Sequence, residues 1–151
     1  MPRRDQHTAV MSRIIWKHLP DEHDYPAAAQ YLALLAEAAE VDVLVTALQG
    51  AAVQHWKAKD LLRASRLALL PKDNRHVAAD LDKIAGSKAL APVLLVRGDV
   101  ATGRALQVAD GYHRVCASYY TDENEDIPCK LVSYGGGAIG AARTREAADR
   151  A

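Results

Sequence analysis

The hydrophobic positions in the first third of the chain form two stripes at helical spacing. The first stripe consists of Ala27, Tyr31, Leu34, Leu35 and Ala38. Asp24 and Pro26 precede it, and an acidic cap followed by proline in the first turn predicts a helix start. The second stripe consists of Val41, Leu44, Val45, Leu48 and Ala52. We expect the two helices to form a hairpin that covers one side of a sheet.

Short apolar runs alternate with helical segments over the rest of the chain. The runs at 67–70, 92–97, 105–109 and 127–132 are typical of strands, and 97–104 is rich in turn residues, which predicts a hairpin connection. Helical spacing predicts a short helix at 57–63 and longer helices at 76–87 and 112–120. This order predicts an α+β fold, with a small mixed sheet of about four strands flanked by helices and an N-terminal helical extension.

The same patterns divide the chain into four parts. We expect an N-terminal tail at 1–23, with Met11 as an alternative start to Met1, and a helical extension at 24–56. A core would span 57–134. Three consecutive glycines then predict a flexible C-terminal tail at 135–151.

Charge and composition narrow the classes of function. Lysine plus arginine equals aspartate plus glutamate, at 19 each, so the chain lacks the positive field that nonspecific nucleic-acid binding requires. No apolar run approaches the roughly 20 residues that span a bilayer, so no membrane partner is expected. Cys116 and Cys129 lie outside any Cys-x-x-Cys pattern, and His18 and His23 form no ligand pattern, so no metal site is predicted. A reducing cytoplasm is the expected location.

The most informative segment is Asp110-Gly111-Tyr112-His113-Arg114, which follows an apolar run and opens a helical pattern. Glycine permits a sharp turn and a close approach of backbone to a ligand. The N–H groups at a helix N-terminus favour an anion, and His113 and Arg114 add donors there. The segment therefore predicts a strand–turn–helix anion site.

This motif, together with the order of elements over roughly residues 64–133, resembles the ParB/sulfiredoxin superfamily. The motif is most similar to the Asp-Gly-His-His-Arg form of its free-serine kinases. The resemblance implies a bound nucleotide (ATP, ADP or CTP), with Mg²⁺ between its phosphates and a carboxylate. It implies phosphate binding by Gly111, Tyr112, His113 and Arg114. Tyr112 replaces the catalytic cysteine of sulfiredoxin, which disfavours sulfinic-acid reduction.

Basic residues before the motif are further candidates for phosphate contact. Lys57, Lys59 and Arg63 would reach phosphates from the preceding helix, although a solvated basic face is the commoner explanation for such a run.

Two carboxylates are candidates for catalysis. Asp73 follows Pro71 at the place where the free-serine kinases carry a glutamate base, and the alternative is that Asp73 and Asn74 cap the next helix. Asp110 would steer a metal ion or a substrate hydroxyl, and its alternative is also a helix cap.

Two classes of function remain open. One is a nucleotide-dependent phosphotransferase or NTPase that acts on a small hydroxylated acceptor or on water. The other is a non-catalytic, nucleotide-gated or DNA-linked regulatory module. Direct DNA binding is disfavoured, because only residues 135–151 follow the core and leave no room for a helix-turn-helix region. Homodimer formation is a further option.

Overall fold

The computed structural model describes residues 13–134, which adopt an α+β fold with five helices and a four-stranded mixed sheet. The helices are α1 (Asp24–Leu32), α2 (Ala38–Gly50), α3 (Ala58–Ser65), α4 (Arg75–Ala85) and α5 (Tyr112–Thr121). The strands are β1 (Val53–Lys57), β2 (Val93–Arg97), β3 (Gln107–Asp110) and β4 (Asp126–Ser133). The predicted fold class is confirmed. In this part of the chain, no helix is long and apolar enough to cross a bilayer.

The strand order in the sheet is β1-β4-β2-β3. Strand β4 pairs antiparallel with β1 and parallel with β2, and β3 returns antiparallel alongside β2 as the predicted hairpin. Strand β2 is central, and its first four residues are buried, which explains their uninterrupted apolar sequence.

Side chains of β2 alternate between two hydrophobic cores because successive residues of a strand point to opposite faces. Val93 and Leu95 pack in the core beneath α3, α4 and α5. Leu94 and Val96 pack in the core beneath α1 and α2. The helical hairpin therefore covers one face of the sheet, as predicted, and the fold has three layers with the sheet in the middle.

The first predicted stripe is wrong, because α1 ends at Leu32 and buries Ala28 and Leu32. The residues of that stripe are all exposed: Ala27, Tyr31, Leu34, Leu35 and Ala38.

The predicted first strand at 67–70 is wrong. These residues are irregular, and the first strand is β1, whose residues after Val53 are all exposed at the sheet edge. The hydroxyl groups of Tyr112 and Tyr120 donate to the carbonyl oxygens of Ala68 and Leu70, so side chains satisfy backbone groups that a strand neighbour would otherwise pair. Strand β1 also crosses the predicted boundary between 56 and 57.

Part of the predicted N-terminal tail belongs to the fold. Ile14 is buried in the core, and the Lys17 N–H donates to the Leu90 carbonyl at 2.8 Å. The Trp16 indole N–H donates to the Glu125 carboxylate at 2.9 Å. Residues 13–23 therefore pack on the domain, and the remaining tail predictions, for 1–12 and 135–151, lie outside the described residues.

Candidate functional site

The predicted strand–turn–helix motif is present between β3 and α5. Gly111 forms the turn with a φ of 109°, in the left-handed region that favours glycine. A Cβ at this position would lie 2.5 Å from Val93 Cγ1 and 2.9 Å from Arg114 Nη2. The glycine is therefore required by its own backbone and by its contact with β2. The sharp turn expected of Gly111 is confirmed, and its close approach to a ligand stays a prediction.

The turn opens into a polar cleft of about 310 Å³. Its other walls are the segment before α1, the exposed side of α4 and the segment at 89–91. Ten of its fifteen lining residues are ionisable, and they combine three cations, four carboxylates and three histidines. These ten are Lys17, Asp21, His23, Asp24, His76, Asp80, Lys83, Asp110, His113 and Arg114.

Arg114 lies at the back of this cleft and is tied to three segments of the chain. Its guanidinium forms ion pairs with Asp110 and, at 3.5 Å, with Asp24, and it donates to the Ala91 carbonyl at 3.1 Å. The Arg114 side chain is only 14% exposed. Two carboxylates thus balance its charge, and these contacts hold the cleft together, while the predicted phosphate contact of Arg114 stays a prediction.

Asp24 brings the N-terminal segment into the site. Its side chain is 6% exposed and accepts a hydrogen bond from the Asp21 N–H at 3.0 Å, and His23 Nε2 lies 3.4 Å from its other oxygen. Asp21 also pairs with Lys17 at 2.8 Å, and that hydrogen bond lowers the pKa of Asp21. The expected helix cap at Asp24 is absent, because Asp24 is instead the first residue of α1 and its carboxylate faces Arg114.

Asp21, His23 and Asp24 form a group that the sequence analysis missed. One potential ligand atom from each lies within 4.8 Å of the others, and carboxylate oxygen and imidazole nitrogen are donors that divalent cations accept. The only signal in the sequence is the polar run at 21–24. That run predicts the end of a tail and the start of a helix, and nothing in it indicates a position beside Arg114.

His113 and His76 form a ring pair across the cleft, with centroids 4.7 Å apart. Burial and then the neighbouring His76 lower the pKa of His113, and Asp80 opposes this shift. Burial raises the pKa of Asp80 and of Asp110, in the latter case against the effect of Arg114. The lowered pKa favours the neutral form of His113, in which one ring nitrogen donates and the other accepts.

Four predicted site residues come together in this cleft: Asp110, Gly111, His113 and Arg114. Tyr112 does not line it, since its ring packs against the core and its hydroxyl donates to the Ala68 carbonyl.

The other predicted site residues lie elsewhere. Asp73 is exposed in the turn before α4, where Asn74 and not Asp73 caps the helix by accepting from the N–H groups of His76 and Val77. Lys57 ends β1 and Lys59 lies on α3, and neither lines the cleft, while Arg63 of α3 lines a second cleft. The basic run before the motif is thus separate from the predicted anion site.

The fold and the site together define an α+β protein with a polar, histidine-containing cleft at a helix N-terminus. Comparisons with protein-family models, with curated proteins and with solved structures find no match to this chain. The resemblance to the ParB/sulfiredoxin superfamily stays an interpretation of the sequence, and the function is argued from the cleft.

Proposed function

We propose that the cleft binds the phosphate groups of a nucleotide (ATP, ADP or CTP, with Mg²⁺) or of another phosphorylated small molecule. The observation that carries the proposal is the start of α5. No side chain of the described residues caps this helix, and its first turn lines the cleft through Gly111, His113 and Arg114. Unpaired N–H groups at a helix N-terminus, beside a histidine, are a favourable environment for an anion.

The surrounding side chains supply the rest of an anion site. His113 and His76 offer ring N–H groups from two different helices. Lys17, before α1, and Lys83, on α4, place positive charge on two walls of the cleft. Arg114 acts as a positioning residue, because its ion pairs with Asp24 and Asp110 join the N-terminal segment to the turn.

Mg²⁺ would be held by a carboxylate of the same cleft and would neutralise phosphate charge there. Asp24 and Asp110 are already engaged by Arg114, and Asp21 by Lys17. Asp80 is the remaining carboxylate, and its side chain has no hydrogen-bonding partner among residues 13–134. Since burial raises the pKa of Asp80, a bound cation would stabilise its ionised form.

The catalytic version of the proposal is phosphoryl transfer to a small hydroxylated acceptor or to water. It requires a base within reach of the bound phosphate. Asp110 lies in the cleft but is paired with Arg114, and Asp73 lies outside it. This placement favours the second candidate, a non-catalytic module that a nucleotide gates.

Homodimer formation stays a prediction. A reducing cytoplasm is proposed because Cys116 and Cys129 are free, buried thiols.

A thermal-unfolding panel with ATP, ADP, CTP and GTP, each with and without Mg²⁺, tests the proposal. A ligand at a hundred times its Kd adds about 2.7 kcal/mol to the free energy of unfolding. We expect stabilisation by at least one nucleotide, and its loss in His113→Ala. His55→Ala is the matched control, since His55 is exposed on β1.

The outcomes separate the possibilities. If no nucleotide and no inorganic phosphate raises the Tm, or if His113→Ala and His55→Ala bind alike, the site is rejected. Phosphate release from the stabilising nucleotide would identify an enzyme, whereas binding without turnover in the presence of small hydroxylated metabolites would identify the gated module.

A further inference from the structure

A second cleft, of about 590 Å³, lies between α3 and the β2–β3 hairpin. None of its lining residues lines the first cleft. Its floor is apolar: Leu61 and Leu95 are buried there, and Leu106 and Leu131 are half-buried beside them. Trp56 lies at its edge with 41% of its surface exposed. The cleft therefore offers an apolar surface that the described residues leave partly uncovered.

The rim of this second cleft carries an excess of positive charge. Four arginines line it, against two carboxylates, Asp60 and Asp99. Asp99 is occupied in the hairpin turn, where it accepts from the Ala101 N–H and the Thr102 hydroxyl. Asp60 is paired with Arg63 at 3.2 Å. The four arginines are Arg63, Arg66, Arg97 and Arg104.

The arginines retain donors for a ligand. Arg66 donates to the Gly103 carbonyl at 2.9 Å, and this bond joins the two walls of the cleft. Arg97 donates to the Ser133 hydroxyl, and the guanidinium of Arg104 lies 4.8 Å from the ring centroid of Tyr134. With five N–H donors in each guanidinium and one such contact each within residues 13–134, most of these donors remain for an anion.

We propose that this second cleft binds a small amphipathic carboxylate, with its apolar body on the leucine floor and its carboxylate on the rim arginines. The volume falls in the range of small-molecule sites, which combine apolar walls with a few convergent polar groups. Arginine is suited to the carboxylate because its planar group binds both oxygens at once. The sequence after Tyr134 does not fit the rim, since three arginines outnumber one glutamate and one aspartate there.

Isothermal titration of the full chain with decanoate tests this assignment. We expect decanoate to bind, while acetate, which lacks the apolar body, and decyltrimethylammonium, which carries the opposite charge, bind at least about tenfold more weakly. The double variant Arg63→Gln/Arg104→Gln should weaken decanoate binding about tenfold or more, as expected for the loss of charge-assisted hydrogen bonds. Arg75→Gln is the matched control, because Arg75 is exposed at the start of α4 and lines neither cleft.

Each result bears directly on the proposal. If the double variant fails to fold, Arg63→Gln alone is used, since the Arg63 side chain is 85% exposed and we expect its loss to leave the fold intact. Failure of decanoate to bind overturns the proposal, as do equal binding of the cationic amphiphile and unchanged affinity in the arginine variants. Binding of an acidic peptide without binding of decanoate also overturns it, because the occupant would then be a protein segment.

Discussion

Gly111 combines a left-handed backbone with close packing against β2, and both features penalise a side chain. We expect Gly111→Ala to lower the free energy of unfolding by about 2–5 kcal/mol, from backbone strain of about 1–2 kcal/mol and overpacking of about 1–3 kcal/mol. Gly103→Ala is the matched control, since Gly103 has a φ of 76° but nothing within 4 Å of an added Cβ. Urea unfolding should show a clearly smaller loss for the control, and equal losses would contradict the packing argument.

We predict that the Arg114 side chain stabilises the folded protein. Its removal would leave the Asp24 carboxylate, at 6% exposure, without its cation. We expect Arg114→Ala to cost about 3–5 kcal/mol, the range for breaking a buried ion pair from one side. Arg63→Ala, which removes an exposed pair with Asp60, should cost no more than about 1 kcal/mol. A loss below about 1 kcal/mol in Arg114→Ala, measured by denaturant unfolding, would show that the ion pairs do not hold the cleft together.

His113 makes anion binding dependent on pH. Burial lowers the pKa of His113 below its usual value of 6.5. In the free protein the free energy of unfolding therefore falls as pH falls from 6.5 toward the lower folded pKa, because the unfolded chain binds the proton more readily than the folded protein. A bound anion favours the charged imidazole. We therefore expect sulfate, which does not titrate in this range, to bind more tightly as pH falls from about 8 to 5.5.

The control for this pH dependence is substitution of each histidine in turn. His76 faces His113, and Asp80 and Arg114 are the charged neighbours. His113→Gln should flatten the pH profile of sulfate affinity measured by calorimetry, and His76→Gln should retain part of it. A profile that is flat in the unmodified protein would contradict the role of His113.

At the scale of single residues, the motif at 110–114 could be predicted from the sequence because its members are neighbours in the chain. Asp110, Gly111 and His113 lie in the cleft for that reason. The ion pair between Arg114 and Asp24 could not be predicted from the sequence, because 90 positions separate the two residues. Only the packing of α1 against β3 brings them together.

At the scale of elements, the turn before α4 bears on the interpretation that Asp73 caps this helix. Asn74 caps α4, accepting from the His76 and Val77 N–H groups at 3.0 and 3.2 Å. We expect Asn74→Ala to lower the free energy of unfolding by about 1 kcal/mol. Asp73→Ala should change it by less than about 0.5 kcal/mol, as is usual for an exposed position. The reverse order in thermal or urea unfolding would make Asp73 the cap.

Apolar runs with a strand partner were predictable, and the edge strand was not. Strands β2, β3 and β4 coincide with predicted runs because at least one of their faces is buried. Strand β1 carries Gln54, His55 and Lys57 at an exposed edge, so its sequence has no apolar pattern to read. In the run at 67–70 only Leu70 contacts the core, while Leu67 and Leu69 are exposed and no residue of the run pairs with a strand, so its apolar sequence does not indicate a buried strand.

At the scale of the whole molecule, the net charge is zero, yet the protein carries two clefts that differ in charge and polarity. The first cleft holds mixed charges and histidines at the start of α5. The second has an apolar floor under four arginines. The composition gives only the total charge of the chain. The residues of each cleft come from separate segments of the sequence, so the sequence does not predict the second cleft.

The most direct test of the central claim is a titration of ¹⁵N-labelled protein with ADP and Mg²⁺, followed by NMR. We expect the largest shifts at the backbone amides of Tyr112, His113 and Arg114, with smaller ones at His76 and Lys83, and none at Arg66 or Trp56 beside the second cleft. Shifts confined to the second cleft, or an unchanged spectrum at millimolar ADP, would contradict the assignment of the α5 N-terminus as the phosphate site.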